Sequence, residues 1–150
     1  MYSFEVICPE PQDFPKHWRY ELDVLRASST CAKLSIAAII IKNDFTIARG
    51  YNKCAPEGYQ YGQPVKECPR NSLPSGAGYE LCKPLHAEQQ AIKQAKTIFG
   101  EDACIGATIV LGGHYYACPA CSEAIDKAGI AKLVFDPETA AKAREFYKLS

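Results

Sequence analysis

Net charge is the first thing this sequence lacks: seventeen Lys and Arg balance seventeen Asp and Glu in 150 residues. A neutral molecule has no overall field with which to gather polyanions, so long nucleic acid is disfavoured as a partner, while a local basic patch stays compatible. Residues Met1 to Pro11 contain no basic start followed by an apolar run. The expectation is neither a signal peptide nor a membrane span, and a cytoplasmic protein. Internal repeats and low-complexity tracts are also absent. Cysteine, by contrast, is plentiful, with eight in the chain. In a chain with no export signal, thiols serve metals or cores more often than disulfides. A hydrophobic content of 47% over this length supports one substantial core, so residues 1–150 read as a single domain.

The hydrophobic pattern alternates between two periods. Phe14 to Ser29, with Trp18, Leu22 and Leu25, reads as a first helix packed by His17 and Trp18. Leu34 to Ile41 is a continuous apolar run, and Phe45 to Ala48 resumes it after Lys42-Asn43-Asp44. Two buried strands joined by a tight turn are expected there. The segment 52–85 collects Gly, Pro, Tyr and Cys without period and reads as a long loop, of a size usually functional or pinned. A second helix from His86 to Phe99 would bury Ala87, Ala91, Ile92, Ala95 and Ile98, with Gly100 closing it. Then come a strand at Ala107 to Leu111, a helix marked by Cys121, Ala124, Ile125 and Ala128, a strand at Lys132 to Phe135, and a last helix opened by Pro137. Strands alternating with helices imply parallel pairing through crossovers. The expected class is a three-layer α/β/α sandwich on a mixed central sheet.

Two short segments some thirty residues apart carry the chemistry: His86-Ala87-Glu88 and Cys118-Pro119-Ala120-Cys121. They supply one imidazole, two thiols and a carboxylate. A catalytic zinc takes three protein ligands and keeps a fourth position open for water, and His86, Cys118 and Cys121 fill the three. Each segment opens a helix, where unpaired amides and partial positive charge favour the thiolate that binds metal. Glu88 is the carboxylate inside the motifs and the candidate proton carrier. Singly, an H-x-E triplet is common on helices, and C-x-x-C serves redox pairs and structural zinc sites as well. The two together, in this order, point to catalytic zinc.

The H-x-E and C-x-x-C pair resembles the signature of the zinc-dependent cytidine and deoxycytidylate deaminase superfamily. Further segments are similar to deoxycytidylate deaminases: Ala27-Ser28-Ser29-Thr30-Cys31, Gly50-Tyr51-Asn52, Gly78-Tyr79-Glu80-Leu81-Cys82 and Ala128-Gly129-Ile130. The resemblance covers about residues 20–136. It implies a cytidine deaminase-like fold and hydrolytic deamination of a small nucleotide or base, with deoxycytidylate (dCMP) giving dUMP as the first expectation. It further implies that Glu88 takes a proton from a metal-activated water and delivers it to the ring nitrogen, the amine leaving as ammonia. An asparagine placed like Asn52 contacts the sugar or phosphate in similar enzymes, and those enzymes form dimers or hexamers.

Some positions depart from the family pattern. Ala117 stands where a proline usually precedes the first motif cysteine, Lys53 replaces a glycine after Asn52, and Lys33 replaces an arginine. Lys33 and Lys53 are candidates to meet a phosphate, and His114 is a candidate pocket residue or a hydrogen-bonded scaffold histidine. Cys31, Cys54, Cys68 and Cys82 could hold a second, structural zinc or be ordinary thiols, and Cys8 and Cys104 read as core fillers. Within the enzyme class the alternatives are guanine, another small aminated heterocycle, or a tRNA base. Outside it stands a non-catalytic, zinc-stabilised interaction module, for which a free carboxylate such as Glu88 has no use.

Overall fold

The structure is a computed structural model and describes residues 2–29, 35–53 and 85–149. Within these residues the strands are β1 (Glu5–Ile7), β2 (Ala37–Lys42), β3 (Phe45–Tyr51), β4 (Thr108–Gly112) and β5 (Lys132–Phe135). The helices are α1 (Lys16–Ala27), α2 (Ala87–Phe99), α3 (Pro119–Lys127) and α4 (Pro137–Leu149), with a short 3-10 turn at Pro11–Asp13. The sheet has five strands in the order β1-β5-β4-β2-β3. It is mixed, as expected: β2 runs antiparallel to both β3 and β4, whereas β4–β5 and β5–β1 are parallel.

The continuous apolar runs follow from burial on both faces of this sheet. Ala38 and Ile40 of β2, Ile109 and Leu111 of β4, and Leu133 and Phe135 of β5 point into one core with Ala87, Ala91, Ile92 and Ala95 of α2 and Ile125 of α3. The alternate residues Ala37, Ile39, Ile41, Val110 and Val134 point the other way, onto Leu22, Trp18 and Leu25 of α1. Helices therefore cover both faces, and the α/β/α layering holds. The antiparallel β2–β3 pair needs only a tight connection, and Asn43 and Asp44 both take positive φ (54° and 67°), the conformation a two-residue hairpin turn demands. The parallel β4–β5 pair needs a crossover, and α3 provides it.

Several details differ from the sequence expectation. Strand β1 carries no periodic signal because it is three residues long at the sheet edge, with Val6 exposed. Its position is set by pairing with β5 and by Ser3, whose N–H and hydroxyl both donate to Asp126 Oδ1 at 2.8 and 2.7 Å. Strand β3 continues past Ala48 to Tyr51, its polar Arg49 tolerated because β3 is an edge strand. Ile98 is 60% exposed although it shares the periodicity of the buried face of α2. The last turn of α2 runs over the β3 edge, and Ile98 lines an open groove there. Cys8 is exposed and fills no core, since it follows the edge strand β1, whereas Cys104 is buried as expected. His17 is exposed, while Trp18 meets Phe14 edge-on.

The C-terminal helix is joined to α1 by charge. Arg19 donates from Nη2 to the buried Asp136 Oδ1 at 3.1 Å, and the same oxygen accepts the Glu138 N–H at the start of α4. No helix among the described residues is long and apolar enough to cross a membrane.

Candidate metal centre

Both chemical motifs stand at helix entrances on the same side of the sheet's main core. His86 is the residue before α2, in extended conformation, and Cys118 holds the equivalent place before α3, where Pro119 occupies the first helical turn. Proline suits that position because its missing N–H would have no intrahelical partner. One helical turn further on, Cys121 is fully buried. Glu88 lies in the first turn of α2, only 5% exposed.

The entrance of α2 is set by its close packing on β3. Gly50 has no room for a side chain: a Cβ there would stand 2.4 Å from the Ala87 carbonyl oxygen and 2.6 Å from the Ala91 nitrogen. The backbone of β3 thus touches the first turn of α2, and past the strand Lys53 exchanges both backbone hydrogen bonds with Leu85, at 3.0 and 2.7 Å. His86 follows directly.

The ligand atoms of His86, Cys118 and Cys121 all lie within 4.8 Å of one another, and among the described residues they form the one cluster of this kind. Tetrahedral zinc, with Zn–S about 2.3 Å and Zn–N about 2.0–2.1 Å, separates its donors by roughly 3.4–3.8 Å. One nitrogen and two sulfur donors at this spacing, on elements held rigidly by the core, fit zinc. The thiols are already poised for it. Cys118 is pulled down to about 5, chiefly by the hydrogen bond from the Cys121 thiol and then by the backbone N–H groups of Cys121 and Ala120. Cys121 is pushed up, because its proton is the one shared with Cys118 and because it is buried. A cation that displaces the shared proton would meet two thiolates.

Burial also pushes the Glu88 carboxyl above the ordinary glutamate range, against the pull of its own backbone N–H and of the nearby imidazole. A raised carboxyl holds its proton more firmly than an exposed glutamate does, which is the property a proton carrier needs.

The remaining sequence candidates divide into those that the structure describes and those outside the described residues. Asn52 is buried, 5% exposed, and its Oδ1 accepts from the Ile36 N–H at 2.9 Å and from the Ser29 hydroxyl. His114 is buried too; its Nδ1 accepts the Tyr115 N–H at 2.9 Å, and its ring meets Tyr115 and Tyr116 at 5.1 and 4.6 Å. Lys53 places its ammonium 5.3 Å from the Tyr51 ring centre and lines a groove of about 520 Å³ with Arg49, Gln90 and Lys93. Lys33 and the four cysteines considered for a second zinc, Cys31, Cys54, Cys68 and Cys82, lie outside the described residues. Ser29 was visible in the sequence only as part of a family-like segment. Its bond to Asn52 joins residues 23 positions apart, which no local pattern signals.

Comparison with known proteins agrees with this geometry. Residues 16–136 match the family profile described as the cytidine and deoxycytidylate deaminase zinc-binding region. The deoxycytidylate deaminase of Schizosaccharomyces pombe is 31% identical over 109 residues, which are 71% of this chain and 32% of that protein. The chain therefore spans about a third of the length of the curated relative it matches. Among solved structures, the dCMP deaminase of cyanophage S-TIM5 in complex with dCMP and dUMP superposes with a TM-score of 0.55 at 23% identity, covering 89% of each chain. Its apo form gives a TM-score of 0.55 at 22% identity, covering 87% of this chain and 90% of that one. These two likenesses concern the fold. On the profile match across most of its length, the chain belongs to the cytidine and deoxycytidylate deaminase zinc-binding family.

Proposed function

We propose that this protein is a zinc-dependent hydrolytic deaminase of a small nucleotide, with dCMP converted to dUMP as its reaction, and that residues 1–150 act as one deaminase domain. The observation that carries the proposal is the convergence of His86, Cys118 and Cys121 within 4.8 Å beside the buried carboxyl of Glu88. In this reading His86, Cys118 and Cys121 hold the zinc ion. When bound, zinc acts as a Lewis acid that makes water a usable nucleophile near neutral pH.

The protein's own groups do the rest. Glu88 takes one proton from the attacking water and gives it to the ring nitrogen next to the amino-bearing carbon. The water oxygen becomes the carbonyl of the product, the carbon–nitrogen bond to the amino group breaks, and Glu88 passes the second proton to the departing ammonia. Burial of Glu88 supports this double role, because a carboxyl with a raised pKa binds the proton firmly enough to carry it. Asn52 orients the nucleotide, with Lys53, Lys33 and His114 as further contacts. A merely structural zinc module has no need of a buried carboxyl such as Glu88.

Small substrates are favoured over polynucleotides. One phosphate needs one or two local cations, whereas a strand needs a groove of them along its backbone, and the chain is neutral. The deoxycytidylate deaminase named among the relatives supports dCMP first. A reducing, cytoplasmic setting suits the free thiols of Cys8, Cys104, Cys118 and Cys121. Assembly into a homo-oligomer is supported by the exposed Ile98 and Phe99 at the end of α2.

The test is ammonia release from dCMP, CMP, deoxycytidine, dCTP, guanine and a short tRNA stem-loop. Turnover of dCMP above the others is expected. Turnover confined to the stem-loop would overturn the small-molecule reading, and turnover of guanine alone would keep the chemistry but discard the nucleotide.

A further inference from the structure

Helix α4 lies beyond residues 16–136, the stretch matched by the family profile, yet it reaches the segment that delivers a metal ligand. The chain leaves β4 at Gly113, with φ of 98°, and five residues later arrives at Cys118. That turn is buried, and its Gly113 N–H donates to the hydroxyl of Thr139, in the first turn of α4, at 2.9 Å. Thr139 is itself buried, and its hydroxyl proton goes to the Asp136 carbonyl at 3.4 Å, which leaves the oxygen as acceptor for Gly113. Further along α4, the Arg144 guanidinium stands 5.7 Å from the centre of the Tyr115 ring. The far end of the segment is closed by α3, whose Ser122 hydroxyl donates to the Ala117 carbonyl at 3.2 Å. Helix α4 can serve as a fixed point because its own start is anchored. The Asp136 N–H donates to the Leu111 carbonyl at 2.9 Å, and Asp136 Oδ1 accepts from the Glu138 N–H and from Arg19 of α1.

We infer that α4 braces the segment between β4 and Cys118, with Thr139 as a positioning residue for that metal ligand. This deepens the reading of the metal centre and rests on it. Cys121 is fully buried on α3, so the core holds it in place. Cys118 precedes the helix and is only half-buried, so its position depends on the segment that leads to it. A metal binds tightly only where each donor returns to within a few tenths of an ångström of its place, and one wandering ligand loosens the site. A Gly113 N–H that loses Thr139 is a buried donor without that partner, and the turn shifts to find another. On its other side the turn packs against the Ser35 carbonyl oxygen, 2.2 Å from where a Cβ would stand, so the displacement runs on into residues 114–118.

Zinc affinity, measured by chelator competition, and the thermal midpoint of the metal-free protein test this together. Thr139→Val keeps the shape but not the hydroxyl, and should weaken zinc binding about tenfold, the lower end of what loss of an outer-shell contact costs a metal site. Thr139→Ser keeps the hydroxyl and should bind zinc within about twofold of wild type. Ile41→Ala is the control for plain destabilisation. Ile41 is buried and pairs with Thr108 at the opposite end of β4, so the midpoint should fall with zinc affinity unchanged. An unchanged affinity in Thr139→Val, a Thr139→Ser that loses as much, or an equal loss in Ile41→Ala would overturn the inference. If the wild-type protein binds no zinc, the metal-centre reading fails separately, and the amide resonances of residues 114–118 then decide the brace. They should shift and broaden in Thr139→Val and in Arg144→Met, whose exposed side chain can be changed without touching the core, and stay sharp in Ile41→Ala. Unchanged signals in both α4 variants would refute it.

Discussion

Gly50→Ala is the sharpest test of how the fold holds the candidate metal ligands. The added methyl would stand 2.4 Å from the Ala87 carbonyl oxygen, 2.6 Å from the Ala91 nitrogen and 3.0 Å from Gln90 Cβ. Two of these neighbours are backbone atoms of α2 and cannot rotate away. An ordinary carbon–oxygen approach is about 3.3 Å, so the strand and helix must part by roughly 0.9 Å. Overpacking of this kind costs about 1–3 kcal/mol. For a chain of this size each kcal/mol lowers the thermal midpoint by roughly 2–4 °C, so a drop of about 2–12 °C is expected. The functional loss should be larger than the stability loss. His86 is the residue that opens α2, while its fellow ligands ride on α3, so the shift changes the distance between donors. A displacement of about 1 Å in a reactive constellation costs on the order of 10²-fold in rate. The assay is thermal unfolding, zinc content by elemental analysis and ammonia release on the same preparations. Gly106→Ala is the control. Its φ of +76° strains any side chain by about 1 kcal/mol, but no atom lies within 4 Å of the new Cβ, so zinc and turnover should persist. A Gly50→Ala protein with wild-type midpoint and activity would refute the claim that β3 sets the position of α2.

Three further outcomes are expected. Glu88→Ala should keep fold and zinc while turnover falls by at least the 10²–10⁴-fold typical of one general acid–base step; retained activity would remove Glu88 from the mechanism. Cys121→Ala should abolish tight zinc binding and lower the thermal midpoint, and elemental analysis that still finds one zinc per chain would exclude Cys121 as a ligand. Asp126 is held below the usual aspartate range by the Ser3 N–H and hydroxyl. A depressed folded value stabilises above the unfolded pKa of about 3.9 and is lost as pH falls through the folded value. Protection of the β1 amides, taken relative to each amide's intrinsic exchange rate at the same pH, should therefore fall below about pH 4 in wild type, and Asp126→Asn should already show lower protection at neutral pH with little further change on acidification.

Local chemistry and periodicity determined much of this protein before any coordinates. The run from Ala37 to Ile41 is apolar at every position because both faces of its strand are covered, and such a run can be read without knowing what covers it. The helix of His86 and Glu88 announces itself by Ala87, Ala91 and Ala95, and the candidate metal ligands by residue type and spacing, since zinc chemistry admits few donors. Other features are decided by residues far apart in the chain. Strand β1 exists through its pairing with β5 and the bond from Ser3 to Asp126, 123 positions away. The exposure of Ile98 depends on where the sheet ends, not on helical period. The fit of Gly50 against Ala87, and the bond from Gly113 to Thr139, arise only when β3 meets α2 and the end of β4 meets α4. Sequence periodicity reports which side of an element is buried; the spacing between elements, and the partners of buried polar groups, come from packing that brings distant residues to within a few ångströms.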